Sequence, residues 1–199
     1  MNADLKQTEQ VHRQRGRALL RGIGWGIAGG FIATIVLHIA SIVTLWALGY
    51  PGDLLFYFSM VAATTAGFFA KLGLTVTDDL LLGAIVSYSI GMSLGIIFAA
   101  MVSRVKSLQM DKTKSLMSGI IFVGVITQPL AAAAPIILED SWTATETWQW
   151  FLTSFYIHML YAIVLAVIVN YGLRVTAGEK RHWLWRKTKA PSPESTIHP

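Results

Sequence analysis

The sequence predicts an all-α polytopic membrane protein with four transmembrane helices and a re-entrant or interfacial segment between the first and the second. Two observations predict the class and a third predicts the topology. Of 199 residues, 54% are apolar and only 14% charged, whereas a soluble domain carries about 25% charged residues. Four stretches lack Asp and Glu in their interior and are long enough, at about 1.5 Å per residue, to cross a hydrocarbon core of about 30 Å. They run from Leu19 to Leu48, Leu80 to Ser103, Leu116 to Leu138 and Trp148 to Leu173. The third observation is charge asymmetry. Fifteen of the sixteen Lys and Arg residues fall in three segments, up to Arg21, from Arg104 to Lys114 and from Arg174 to Lys189.

The first span is longer than the 7–15 apolar residues of a signal-peptide core, so it reads as a retained helix. Positive-inside topology places residues 1–18, the 104–114 loop and the tail 174–199 in the cytoplasm of a prokaryotic inner membrane. An even number of crossings satisfies that. The stretch from Asp53 to Thr77 is apolar but interrupted by Gly67, Lys71 and Gly73, so it is expected to return to its own side as a re-entrant or interfacial helix pair. Lys71 there can snorkel to headgroups or pair with Asp78 or Asp79. Trp142, Trp148 and Trp150 at one end of the last span, and Trp183 and Trp185 beyond its other end, match aromatic belts. The basic, Trp-bearing part of the tail reads as a lipid anchor, and its last ten residues are expected to be disordered.

Small residues recur every four positions in two spans. The first has Gly22, Gly26, Gly30 and Thr34; the second has Gly83, Ser87, Gly91, Gly95, Ala99 and Ser103. Residues four apart share a helix face, and small faces let backbones approach closely in a bilayer. Gly26, Gly30, Gly91 and Gly95 are therefore the expected helix-packing residues. The same faces also suit a homo-oligomer interface. Continuing the first stripe by four reaches His38. The last span carries Ser154, His158, Ala162, Ala166 and Asn170 at that spacing, and the third carries Thr127, Gln128 and Pro129 before four alanines and Pro135.

Counting 1.5 Å per residue from the span ends puts His38, Gln128 and His158 each about 15 Å deep. These three form the candidate intramembrane polar site. Buried histidines in spans commonly hydrogen-bond a neighbouring helix, a contact of about 0.6–2 kcal/mol, while ionisable groups there also suggest function. A proton or ion path, haem ligation by two imidazoles, copper with Met159 or Met92, and a quinone or lipid pocket with Tyr88, Tyr156 and Tyr161 are the readings the residue types allow.

Other chemistry is missing from the sequence. With no cysteine, disulfide scaffolds and thiolate metal sites are excluded. GIGWGIAGG lacks the strand a dinucleotide fold needs, and neither a phosphate loop nor a nucleophile elbow occurs. No catalytic residue, metal ligand set, cofactor or nucleic-acid partner is expected. Asp78, Asp79, Glu139, Asp140 and Glu146 read as a solvated acidic outer face.

The order GWGIAGGFIAT, IGMSLGIIFA, the Gly119–Gly124 pair running into QPLAAAAP, and HMLYAIVLA resembles small prokaryotic membrane proteins of the YagU-like and related groups of unknown function. The resemblance spans residues 22 to 173. It implies four helices, an amphipathic stretch after the first and a histidine near the last. A histidine common in such proteins at the start of the second span is absent here, where residues 80 to 83 read LLLG. The expected function is non-enzymatic: a structural or accessory protein in the lipid bilayer, as a subunit of a larger membrane complex. Its rivals are a homo-oligomeric transporter or channel using the His/Gln site, and a haem- or cofactor-binding redox subunit.

Overall fold

The computed structural model describes residues 2–105, 107–108, 111–138 and 143–176; the side chains of residues 2–19, 130–132 and 134–138 lie outside the description. Five long helices make up the described chain: α1 (Asn2–Ala47), α2 (Leu54–Lys71), α3 (Leu80–Arg104), α4 (Lys112–Leu138) and α5 (Ala144–Thr176). There is no strand among the described residues. Among the described residues four stretches are long and apolar enough to cross a membrane: Leu20–Ala47, Leu54–Lys71, Leu80–Arg104 and Ala144–Val175. This set differs from the expected one: it includes the helix within the 53–77 segment, and the expected span from Leu116 to Leu138 lies in α4, many of whose later side chains are outside the description. Exposed apolar side chains such as Ile39, Ile97, Ile121, Val125 and Val167 give the bundle the lipid-facing surface of a multi-pass membrane protein.

Side-chain chemistry sets where the helices begin. Asp53 and Asp79 cap α2 and α3 by accepting from the backbone N–H groups of Phe56 and Leu82, each at 2.6 Å. Thr143 and Glu146 form a reciprocal capping box at α5: the carboxylate accepts from Thr143 N–H at 2.7 Å, and Thr143 Oγ1 accepts from Glu146 N–H at 3.2 Å. The acids of that end therefore have a structural task beyond solvation. α1 starts far before its apolar part. At 46 residues it is about 69 Å long, more than twice a bilayer core.

The 53–77 segment departs from the expected helix pair. It contains one continuous helix of 18 residues, because a single glycine such as Gly67 costs a helix only about 1 kcal/mol. Thr64 and Thr65 also bond back to the carbonyls of Met60 and Val61, which keeps their hydroxyls satisfied within the turn. The helix ends at Lys71, and the chain turns away at Gly73, whose φ of 77° favours glycine.

Glycine contacts fix the register. Gly22 lies against Ser103, Gly26 against Gly95, and Gly30 against Gly91, so α1 and α3 are antiparallel. Gly29 touches Leu165 and Val169, and Gly172 receives the Trp25 ring, so α5 is antiparallel to α1 as well. Gly119 against Ala162 and Ala166, and Gly124 against Met159, set α4 antiparallel to α5. The chain thus leaves α1 and enters α3 at the same end of the bundle. That acidic end carries Asp53, Asp78, Asp79 and Glu146, and the basic end carries Arg21, Arg104, Lys112, Lys114 and Arg174.

The core is concentrated toward the basic end. Phe98, Val102, Val123, Leu165 and Val169 are completely buried there. Asn170 Nδ2 donates to the carbonyl of Leu108 at 3.1 Å, tying α5 to the α3–α4 connection. Helix α2 packs mainly on α3, with contacts to α1 and α4.

Candidate functional site

Toward the acidic end the helices separate around a cavity of about 280 Å³. All five contribute walls. Thr34, Leu37 and Ser41 come from α1, Met60, Thr64 and Thr65 from α2, Ser87, Gly91 and Leu94 from α3, Thr127 from α4, and Trp150, Ser154, His158 and Tyr161 from α5. A second cavity of about 220 Å³ shares Leu45, Met60, Trp150 and Thr153 with the first and continues to Leu48, Tyr50, Glu146 and Gln149. The chamber therefore has a vestibule leading to the acidic end.

The polar lining is made of hydroxyls, one imidazole and the Trp150 indole, with no carboxylate and no cation. Most of these groups are anchored to the backbone. Thr34 donates to Gly30 O, Ser41 to Leu37 O and Thr127 to Val123 O, all at 2.8 Å. Tyr161 donates across the bundle to Gly91 O at 2.6 Å. Gly91 has no Cβ, because one there would collide with the Thr34 hydroxyl.

The three residues singled out from the sequence have different surroundings. Register contacts place the two histidines level: His38 lies nine residues beyond Gly29, and His158 seven and eleven residues before Leu165 and Val169, or about 14 Å from that contact on average. His158 stands on the chamber wall, its Nδ1 2.7 Å from Ser154 O. A carbonyl only accepts, so Nδ1 carries the proton and Nε2 of the neutral ring has a lone pair. His38 faces α2 and α3 instead. Its Nε2 lies 2.8 Å from Ser87 Oγ, and the rings of Tyr57, Phe58 and Tyr88 surround it at centroid distances of 5.0, 5.2 and 5.1 Å. Ser87 belongs to both settings, since it also lines the chamber.

Gln128 is not on the chamber wall; its neighbour Thr127 is. Both amide atoms of Gln128 are buried without a hydrogen-bond partner among the described residues. The two imidazoles meet different neighbours, His38 those of α2 and α3 and His158 those of the chamber. Among the described residues no group of three His, Cys, Asp or Glu side chains could hold a metal ion. Of the tyrosines considered from the sequence, Tyr161 lines the chamber, Tyr88 stacks on Phe31, and Tyr156 is exposed.

The glycines of the first two stripes sit where α1 and α3 cross. A Cβ on Gly26 would lie 2.7 Å from Gly95 O, and one on Gly95 would lie 2.9 Å from the Cα of Gly30. Glu139, Asp140, Trp142, Trp183, Trp185 and the tail from residue 177 lie outside the described residues, as does the side chain of Pro135.

The hydroxyl residues of the lining carry a sequence signal of their own. Thr34, Leu37, Ser41 and Leu45 follow the three-and-four spacing of one helix face, and MVAATT repeats it for Met60–Thr64 and Val61–Thr65. Glycine spacing draws attention to the seams, and the polar faces beside them pass as helix surface.

Comparisons with protein-family models, with curated proteins and with solved structures find no match. Function must therefore be argued from the chamber's own chemistry, and the likeness to the YagU-like group gains no support from them.

Proposed function

We propose that this chain is a non-enzymatic accessory protein of the prokaryotic cytoplasmic membrane that holds a small molecule in its chamber and serves as a subunit of a larger membrane complex. The observation that carries the reading is the joining of an open chamber to a closed base. Walls from all five helices enclose space toward the acidic end, while Phe98, Val102 and Leu165 fill the interior toward the basic end. A site entered from one end and stopped at the other suits holding or sensing better than passage.

The basic end faces the cytoplasm in this reading, by the positive-inside rule, and both termini lie there. Helix α2 is the re-entrant element. Support comes from the antiparallel pairing of α1 and α3, which brings residues 48 and 79 to the same end of the bundle. In that position α2 forms the side of the chamber on the outer half of the membrane.

A transporter is the second reading, favoured by the vestibule that shares Met60 and Trp150 with the chamber. Two measurements separate the readings. Native mass spectrometry of protein extracted gently from its own membrane is expected to show stoichiometric protein partners; a bare homo-oligomer overturns the accessory role. The sequence contains no cysteine, so a T153C variant carries a single thiol where the vestibule meets the chamber. Impermeant thiol reagents are expected to label it from outside the cell. Labelling only from the cytoplasmic side would overturn the orientation, and labelling from both sides would favour transport.

A further inference from the structure

The hydrogen atoms of most of the chamber's hydroxyls are already committed, and this biases what kind of molecule the chamber can hold. Thr34, Thr64, Thr65 and Thr127 each donate to the carbonyl four residues earlier in their own helix, at 2.7–2.8 Å. Tyr161 donates to Gly91 O, and His158 Nδ1 to Ser154 O. Each of these six groups has only lone pairs left for a ligand: five hydroxyl oxygens and the Nε2 of a neutral imidazole. Turning any of those hydrogens toward a ligand would give up a bond it already makes. Ser154 and Thr153 are different: the imidazole beside Ser154 leaves its hydroxyl hydrogen available, and Thr153, toward the vestibule, is not among the committed hydroxyls.

We infer that the chamber binds an uncharged, largely apolar molecule through that molecule's own hydrogen-bond donors, as an alcohol, a phenol or a hydroquinone would supply. The inference rests on the reading of the chamber as a binding site and adds the ligand's class. A molecule with acceptors only, such as a quinone or an ether, would find few donors, chiefly Ser154 and Thr153, and would set its oxygens against the oxygens of the rest of the wall. An ammonium would find acceptors but no carboxylate among the lining residues, and charge without a counter-charge is costly away from water. The remaining walls are apolar and aromatic, including Leu37, Leu94, Ile157 and Trp150. They suit a flat hydrocarbon body, and about 280 Å³ accommodates one of two fused rings.

A matched trio of probes tests this on the full-length protein in lipid nanodiscs, with empty nanodiscs as the partition control. The trio is 1-naphthol, 1-methoxynaphthalene and 1-naphthylmethylammonium, which share a ring system and differ in being donor, acceptor and cation. Saturable 1:1 binding of 1-naphthol, about tenfold tighter than that of the methyl ether, is the expected result. Equal binding of the two overturns the donor requirement while leaving the chamber as a binding site. Tighter binding of the ammonium overturns the requirement for an uncharged ligand. Absence of saturable binding by all three overturns the binding-site reading along with the inference. Thr127→Val keeps the shape and deletes an acceptor, so it should weaken 1-naphthol binding severalfold without changing the affinity for the ether. Thr127→Ser should restore it. A loss that Ser does not rescue counts against the hydrogen-bond basis.

Discussion

Toward the basic end, α1 and α3 meet backbone to backbone; toward the acidic end these two part around open space, although α2 closes on the start of α3 where Phe58 O meets Gly83. Residue size and polarity produce the contrast. Gly26, Gly30, Gly91 and Gly95 bring α1 and α3 so close that a single added Cβ strikes main-chain atoms. Further along, α1 turns Thr34, Leu37, Ser41 and Leu45 inward, and α3 turns Ser87. These side chains hold neighbouring helices at side-chain distance. Helices in lipid gain no hydrophobic free energy from meeting each other, so their association depends on close packing. Stability is therefore concentrated in the glycine-rich half, and the capacity to bind in the other.

Adding bulk to the closed half gives the largest expected effect. Gly30→Leu would drive a side chain into the Gly91 carbonyl and the Cα of Met92, neither of which can move without separating the helices. The expected outcome is loss of the folded particle, read as aggregation on size-exclusion chromatography in detergent. A monodisperse variant with unchanged thermal stability would break the comparison outright. Removing bulk from the same half comes next. Phe98 is fully buried, its ring 5.7 Å from that of Phe122, so Phe98→Ala is expected to cost about 3 kcal/mol in reversible unfolding. A loss under about 1 kcal/mol would show that the basic half is less tightly filled than the contacts indicate.

Much of this contrast is legible in the sequence, and its limits have physical reasons. Four-residue spacing of small side chains locates the close contacts because helix geometry puts those residues on one face whatever they meet. Depth counting brings His38 and His158 to one level because rise per residue is nearly constant. It does not say which way each ring faces. His38 turns into three aromatic rings from α2 and α3, while His158 turns to the chamber. That difference depends on where α2 packs, and α2 is the element whose form composition conceals. Its glycines and its lysine suggest a break at 67–73, but the Asp53 cap and the tolerance of a helix for one glycine carry it through to Lys71. The chamber itself is invisible in one dimension, because its lining is assembled from single faces of five helices.

At the boundary between the halves, Tyr161 donates to Gly91 O and closes the chamber floor. Tyr161→Phe keeps the ring and removes one interhelical hydrogen bond, for an expected loss of about 1 kcal/mol. Thermal unfolding in detergent reads this, and a change of less than a few tenths would mean that the ring alone holds the floor.

The smallest stability effect is expected where bulk is added to the open half, and this sharpens the comparison most. Thr64 lines the chamber, and its hydroxyl bonds only to the carbonyl of Met60 in its own helix. That carbonyl keeps its place in the helix ladder when the hydroxyl is lost, and the cavity offers room for two more carbons. Thr64→Leu is thus expected to leave stability within about 0.5 kcal/mol of the parent, the range of substitutions that break no packed contact. A leucine that destroys the bundle at Gly30 should be tolerated at Thr64, because the first site is bounded by backbone and the second, where the net addition is also smaller, by empty space. Binding should respond in the opposite way, since a leucine there occupies space the ligand needs. If Thr64→Leu proves as destabilising as a core substitution, the acidic half is not open in the folded protein, and α2 must lie against α5 more closely than the cavity between them implies.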